Sequence, residues 1–85
     1  MEKMFVQEDD IAFIVKDIIM YKLGLDEGQL VDSADLQDDL GVDSLDIIEL
    51  RMELEKKLGI LITDEEGEKL NTIGQIVDFI RFKKL

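Results

Sequence analysis

Few residues of this chain can carry chemistry. Neither cysteine nor histidine occurs among its 85 residues. That removes disulfides, thiolate metal sites, nucleophilic cysteine and imidazole acid–base work together. What remains is a serine in an acidic setting, Asp43-Ser44, at the head of a run whose apolar residues recur at helical spacing. Asp43 is a good N-cap, which makes Ser44 the first helical residue, with a hydroxyl able to face solvent. A phosphate attached there would lie against unpaired backbone N–H groups and the positive end of the helix dipole. No histidine is present, and no lysine stands within a turn to take its proton, so Ser44 is not a hydrolase nucleophile. The ordinary role of a serine at a helix start is capping. A special role for Ser44 requires that another enzyme modify it.

The acids offer a second chemistry, metal binding. An EF-hand loop needs an acid in its first place, a glycine in its sixth and a glutamate in its last. With Gly41 as the glycine, the two ends fall on Leu36 and Ile47; with Gly67, the first place falls on Ile62. Both arrangements fail, and loose divalent binding around Asp38, Asp39 and Asp43 would relieve charge rather than serve a function. No metal site is expected. The six glycines form neither G-x-G-x-x-G nor the Walker pattern.

The elements that must position Ser44 can be read from periodicity. Residues 11–23 form an amphipathic helix with Ile11, Ile14, Val15, Ile18 and Ile19 on one face. Glu8, Asp9 and Asp10 flank its N-terminal side, and Gly24 ends it with a left-handed cap. Phe13 and Met20, on the other face, are expected to pack under Met4 and Phe5 of an N-terminal arm at residues 1–10. Residues 25–42 show no period and are pinned by Leu25, Leu30, Val31, Leu36 and Leu40, with room for a helical turn at 35–40. Residues 44–58 form the clearest helix, ended by Gly59. Thr63-Asp64-Glu65-Glu66 spells a capping box that opens a short helix to about Leu70. Gly67 lies within it and weakens it by roughly 1 kcal/mol, so alanine there should stabilise it. Thr72 and Gln75 make a second capping box, and Ile73, Ile76, Val77 and Ile80 of the helix that follows face inward. Arg81, Lys83 and Lys84 in its last turn suit the dipole. The fold class is all-α: a small four-helix bundle, three helices longer and one short, with a long loop between the first two.

A chain of 85 residues with 46% apolar content makes one domain with a modest core, residues 1–85. Twenty-one acids against ten bases give a net charge of −11. Such a surface repels nucleic-acid phosphates and attracts basic patches on protein partners. No apolar run reaches a membrane span, and the N-terminal residues read as neither a signal nor a transit peptide; a cytoplasmic monomer is expected.

The helix at 44–58 carries two apolar stripes. Ile47, Leu50, Leu54 and Leu58 share one side, toward the core; Leu45, Ile48 and Met52 share nearly the opposite side, flanked by Asp46, Glu49, Glu53 and Glu55. A small bundle buries only one stripe well. Either the long loop or a neighbouring helix covers the second, or it is a partner-binding surface; the carboxylate rim favours the surface.

Asp38-Asp39-Leu40-Gly41-Val42-Asp43-Ser44-Leu45-Asp46, followed by Ile48-Glu49-Leu50, closely resembles the signature of acyl carrier proteins. The similarity continues through Leu54-Glu55, Gly59-Ile60, Thr63-Asp64-Glu65-Glu66 and Thr72-Ile73, and so covers most of the chain from about Ile11 to Ile80. The resemblance implies that Ser44, set between Asp43 and Leu45, is esterified by 4′-phosphopantetheine from coenzyme A through a phosphopantetheinyl transferase. The arm's thiol would carry acyl groups as thioesters for fatty-acid or related biosynthesis, and the protein would be no enzyme. Leu45, Asp46, Ile48, Glu49, Met52, Glu53 and Glu55 would dock onto basic patches of acyl-transferring, condensing and modifying enzymes. Residues such as Leu54 and Ile62 would shelter the acyl chain. The chain departs from the family pattern at Thr63, where proline is common, at Gly67, where alanine is common, and at Lys56, where an acid is common. A specialised carrier of polyketide, lipid-A or amino-acyl cargo is the alternative within the class. An unmodified acidic helical adaptor is the alternative outside it.

Overall fold

The computed structural model describes residues 8–84, with side chains from Asp10 onward. The chain forms α1 (Glu8–Leu23), a 3-10 turn (Glu27–Gln29), α2 (Ser44–Leu58), α3 (Asp64–Gly67) and α4 (Ile73–Lys84). This is the expected all-α bundle, with one short helix and a long connection between α1 and α2. α1 packs against both α2 and α4. Its Ile11, Val15 and Ile19 meet Leu50 and Leu54 of α2 and Ile73, Ile76, Val77 and Ile80 of α4 in one buried cluster. Each such side chain stabilises the fold by about 1.5–3 kcal/mol through burial.

α1 begins at Glu8 rather than Ile11. Acids are favourable inside the first turn of a helix as well as ahead of it, so the three flanking acids extend the element. Gly24 ends it at φ +68°, and the N–H groups of Gly24 and Leu25 both donate to Met20 O, at 2.8 and 3.2 Å. The stripe is narrower than expected. Ile14 is exposed and Ile18 half-buried, while Met20, assigned to the outer face, packs on the core and Phe13 faces solvent. Met4 and Phe5 lie outside the described residues.

The long connection is stitched to the start of α4. Leu30, Ala34, Leu36 and Val42 are its buried anchors; Val31 is exposed. Leu36 N–H donates to Asn71 O at 2.9 Å, and Ala34 O and Asp32 O accept from Ile73 and Gly74 at 3.1 and 2.9 Å. Two loop carbonyls thereby meet N–H groups that α4 cannot satisfy internally. A Cβ on Gly74 would stand 3.1 Å from Asp32 O, so glycine lets the loop come this close. The acids at 35–39 close a single turn of helical register: Asp39 N–H donates to Asp35 O at 2.9 Å, Asp35 Oδ1 accepts from Gln37 and Asp38, and Asp39 Oδ2 accepts from Asp35 N–H. Side-chain acceptors of this kind satisfy the first N–H groups of a helical turn.

Both capping boxes form, with different outcomes. Thr63 Oγ1 accepts from Glu66 N–H and Glu66 Oε1 from Thr63 N–H, each at 3.0 Å, yet α3 ends after one turn at Gly67, short of Leu70. Thr72 and Gln75 make the same exchange at 3.1 and 3.0 Å, and α4 runs on to Lys84. At the far end of the bundle, Ile11, Ile14, Leu58 and Ile80 line an apolar hollow of about 190 Å³, closed by Lys84, whose Nζ donates to Leu58 O at 3.0 Å.

Candidate functional site

Asp43 caps α2: its backbone is extended and its Oδ1 accepts the Asp46 N–H at 3.0 Å. The cap is therefore supplied by Asp43, leaving the exposed Ser44 hydroxyl at the first helical position free of that duty. Gly41 turns the chain at φ +68° just ahead, and Val42, buried, ties it down through a 2.8 Å bond from its N–H to Leu36 O. The serine thus projects from a fixed corner between the loop and α2.

Below Ser44 along α2, Leu45, Ile48 and Met52 are 64%, 48% and 60% exposed. No described element covers this stripe, although on a monomeric surface so compact a run of large apolar side chains is unusual. Asp46 and Glu49 stand exposed beside it. The other two rim acids are less free. Glu53 is half-buried and lies 3.7 Å from Lys57, and Glu55 is half-buried with Oε2 accepting the Ile62 N–H at 2.8 Å. Glu55 therefore holds the α2–α3 loop, a task that helical-wheel position cannot reveal.

Sequence reasoning missed Leu61, which is 75% exposed and borders a groove of about 540 Å³ with Met52. The signal was present. Ile60, Leu61 and Ile62 leave α2 as extended chain, where alternate side chains face opposite ways. Ile60 and Ile62 are half-buried, so Leu61 points out.

A cavity of about 200 Å³ opens directly beside Ser44, with Leu36, Ile47 and Leu70 among its apolar walls and Arg51 and Asn71 among its polar ones. Leu54 and Ile62, the acyl-pocket residues expected from the resemblance, do not line it. Leu54 is buried in the core, and Ile62 sits half-buried in the loop before α3. Arg51 was not anticipated. Its Nη2 donates to Gly67 O at 2.7 Å, and a Cβ on Gly67 would lie 2.7 Å from its Cζ and Nη1. An alanine methyl at Gly67 would therefore require the guanidinium to shift, a cost that sets itself against the gain in helix propensity expected there. Glu66, next in line, pairs with Lys83 of α4 at 3.2 Å. The Thr63 N–H donated to its carboxylate, reinforced by Lys83, holds its pKa below the usual glutamate range against the opposing effect of desolvation.

Among the described residues no cluster of acids is arranged to hold a metal ion, and no helix is long and apolar enough to cross a membrane. An exposed serine hydroxyl thus stands at a helix start, next to a small cavity and above an apolar stripe with an acidic rim. Residues 14–80 match the family model described as a phosphopantetheine attachment site. The match spans most of the chain, which belongs to this family. Its members are carrier domains bearing covalently attached 4′-phosphopantetheine, in keeping with the resemblance to acyl carrier proteins.

Proposed function

We propose that Ser44 is the attachment serine and that the protein, a cytoplasmic monomer, presents acyl intermediates to enzymes of fatty-acid or related biosynthesis. The exposure of the Ser44 hydroxyl at the first turn of α2, with Asp43 rather than Ser44 as the cap, is the observation that carries this reading. The residues present fit the group. The N–H groups of the first turn and the helix dipole favour a phosphodiester anion at this hydroxyl. The bound group supplies the thiol that a chain without cysteine lacks. Asp43 keeps the serine at the helix start, Leu45 borders it on the outer face, and Leu36, Ile47 and Leu70 offer apolar wall within reach. Leu45, Ile48 and Met52 supply apolar contact for partner enzymes; Asp46 and Glu49 steer basic patches toward it. Catalysis belongs to those partners.

The test is intact mass after incubation with coenzyme A and a phosphopantetheinyl transferase. The wild-type protein should gain one phosphopantetheine, located on Ser44. Ser44→Ala should gain nothing while its stability stays within about 1 kcal/mol of wild type, since only an exposed hydroxyl is lost. A wild-type mass that never changes would leave an unmodified adaptor, and modification of Ser44→Ala would move the site elsewhere.

A further inference from the structure

The groove of about 540 Å³ that Met52 and Leu61 border lies past the apolar stripe, toward the C-terminal end of α2. Met52 belongs to both, so stripe and groove form one apolar track, with Leu61 exposed at its far side. The charge changes along it. Asp46 and Glu49 stand exposed toward Ser44. Lys22, from the last turn of α1, and Lys56, from the last turn of α2, stand exposed on the groove. Neither lysine makes an ion pair among the described residues, in a chain with 21 acids. Lys69 apart, the other described bases are committed to an acid or a carbonyl of the chain. Two of the groove's acids are engaged as well: Glu53 lies against Lys57, and Glu55 holds the Ile62 N–H. The helix dipole favours a lysine in a last turn, yet these two turns belong to different helices and both residues border one groove. The surface left to a visitor is apolar with two unpaired cations. An apolar side chain with a carboxylate beside it matches that surface, whereas a segment basic throughout would set a cation against Lys22 or Lys56.

We propose that this groove docks an acidic, apolar segment of a protein partner, its apolar side chain against Met52 and Leu61 and its carboxylate toward Lys22 and Lys56. The inference deepens the docking part of the proposed function and does not require Ser44 to be modified. A partner surface that fits the whole face reverses in sign along α2. It is basic opposite Asp46 and Glu49, and acidic opposite Lys56, about 15 Å beyond Asp46 along the helix. That reversal fixes the direction in which a partner lies on the helix.

The test titrates the isotopically labelled full chain with three helical peptides, identical except that glutamate, glutamine or lysine stands one turn after a leucine. Backbone amide shifts report both the site and the affinity. The glutamate peptide should move the Met52, Lys56 and Leu61 amides and bind there about threefold to tenfold tighter than the glutamine peptide, as exposed ion pairs allow. The difference should shrink in high salt. The lysine peptide should move Asp46 and Glu49 instead. Lys56→Glu should remove the preference for glutamate. Lys69→Glu, with the same net charge but outside the groove, should keep it. A glutamate peptide that moves none of the three amides, or that binds no better than the glutamine peptide, would overturn the proposal. So would equal loss in the two variants, since the lysines would then act through net charge alone. A Lys56→Glu protein that melts lower yet keeps the preference would also overturn it, assigning that lysine to the helix dipole. Every arm uses the unmodified chain, so failure here is read separately from a failure of Ser44 to take up phosphopantetheine.

Discussion

α3 and α4 start in the same way and end differently. Each opens with a threonine whose hydroxyl accepts from the third residue on, and each has that residue's side chain returning the bond. α3 stops at Gly67 and α4 continues through twelve residues. Their difference lies behind the cap. α4 buries Ile73, Ile76, Val77 and Ile80 against α1 and α2, whereas in α3 only Gly67 is buried. α3 is held instead by polar ties, Arg51 to Gly67 O and Lys83 to Glu66. A cap starts a helix; packing of an apolar stripe is what extends it.

The largest expected effect falls on the packed helix. Ile80→Ala should cost about 2–5 kcal/mol, seen as a lower thermal midpoint, because a fully buried side chain leaves a cavity. A cost under about 1 kcal/mol would break the comparison. Next comes local opening. The amides of Gly67, Glu68 and Leu70 should exchange with deuterium about a hundredfold or more faster than those of Ile76, Val77 and Ile80. Equal protection would show α3 to be part of the global unit.

A smaller effect concerns the polar ties. Gly67→Ala should cost about 1 kcal/mol: the better helix propensity is outweighed by the displaced guanidinium and its lost charge-assisted bond. In an Arg51→Ala background the same change should stabilise by about 0.5–1 kcal/mol, and denaturant melts of the four proteins give the coupling. Additive effects would deny that Arg51 and Gly67 share one space. The smallest effect is a pH step. Glu66 has a depressed folded-state pKa, so its contribution is complete above the unfolded glutamate value, about 4.3, and is lost as pH falls through the lower folded one. The Thr63 and Glu66 amide resonances should titrate in that acidic window, and Glu66→Gln should abolish the step. The box at α4 uses neutral Gln75 and should show none of its own.

The helices and both caps were legible because their signals are local: an N-capping Asp43, two capping boxes, glycine after the last apolar position of α1 and α2. The serine and its apolar stripe were legible for the same reason, since seven helical residues define a face. What escaped depends on neighbours distant in sequence. Ala34 is an anchor only because the loop folds back on α4, Val42 only because the loop closes on Leu36, and Glu55 is a loop clamp only because Ile62 passes beside it. Arg51 reads as one more charged helix residue until Gly67 is placed against it.

The hollow that joins Ile11, Leu58 and Ile80 brings the opening turns of α1 and the close of α4 to one pole of the molecule, beside the C-terminal end of α2. Ser44 sits at the opposite end of that helix, fourteen residues and about 21 Å away along its axis. The opening turn of α1 and the close of α4 therefore share the pole remote from the serine. A label placed on an exposed side chain at that pole, such as Lys57, would report on the molecule without crowding Ser44.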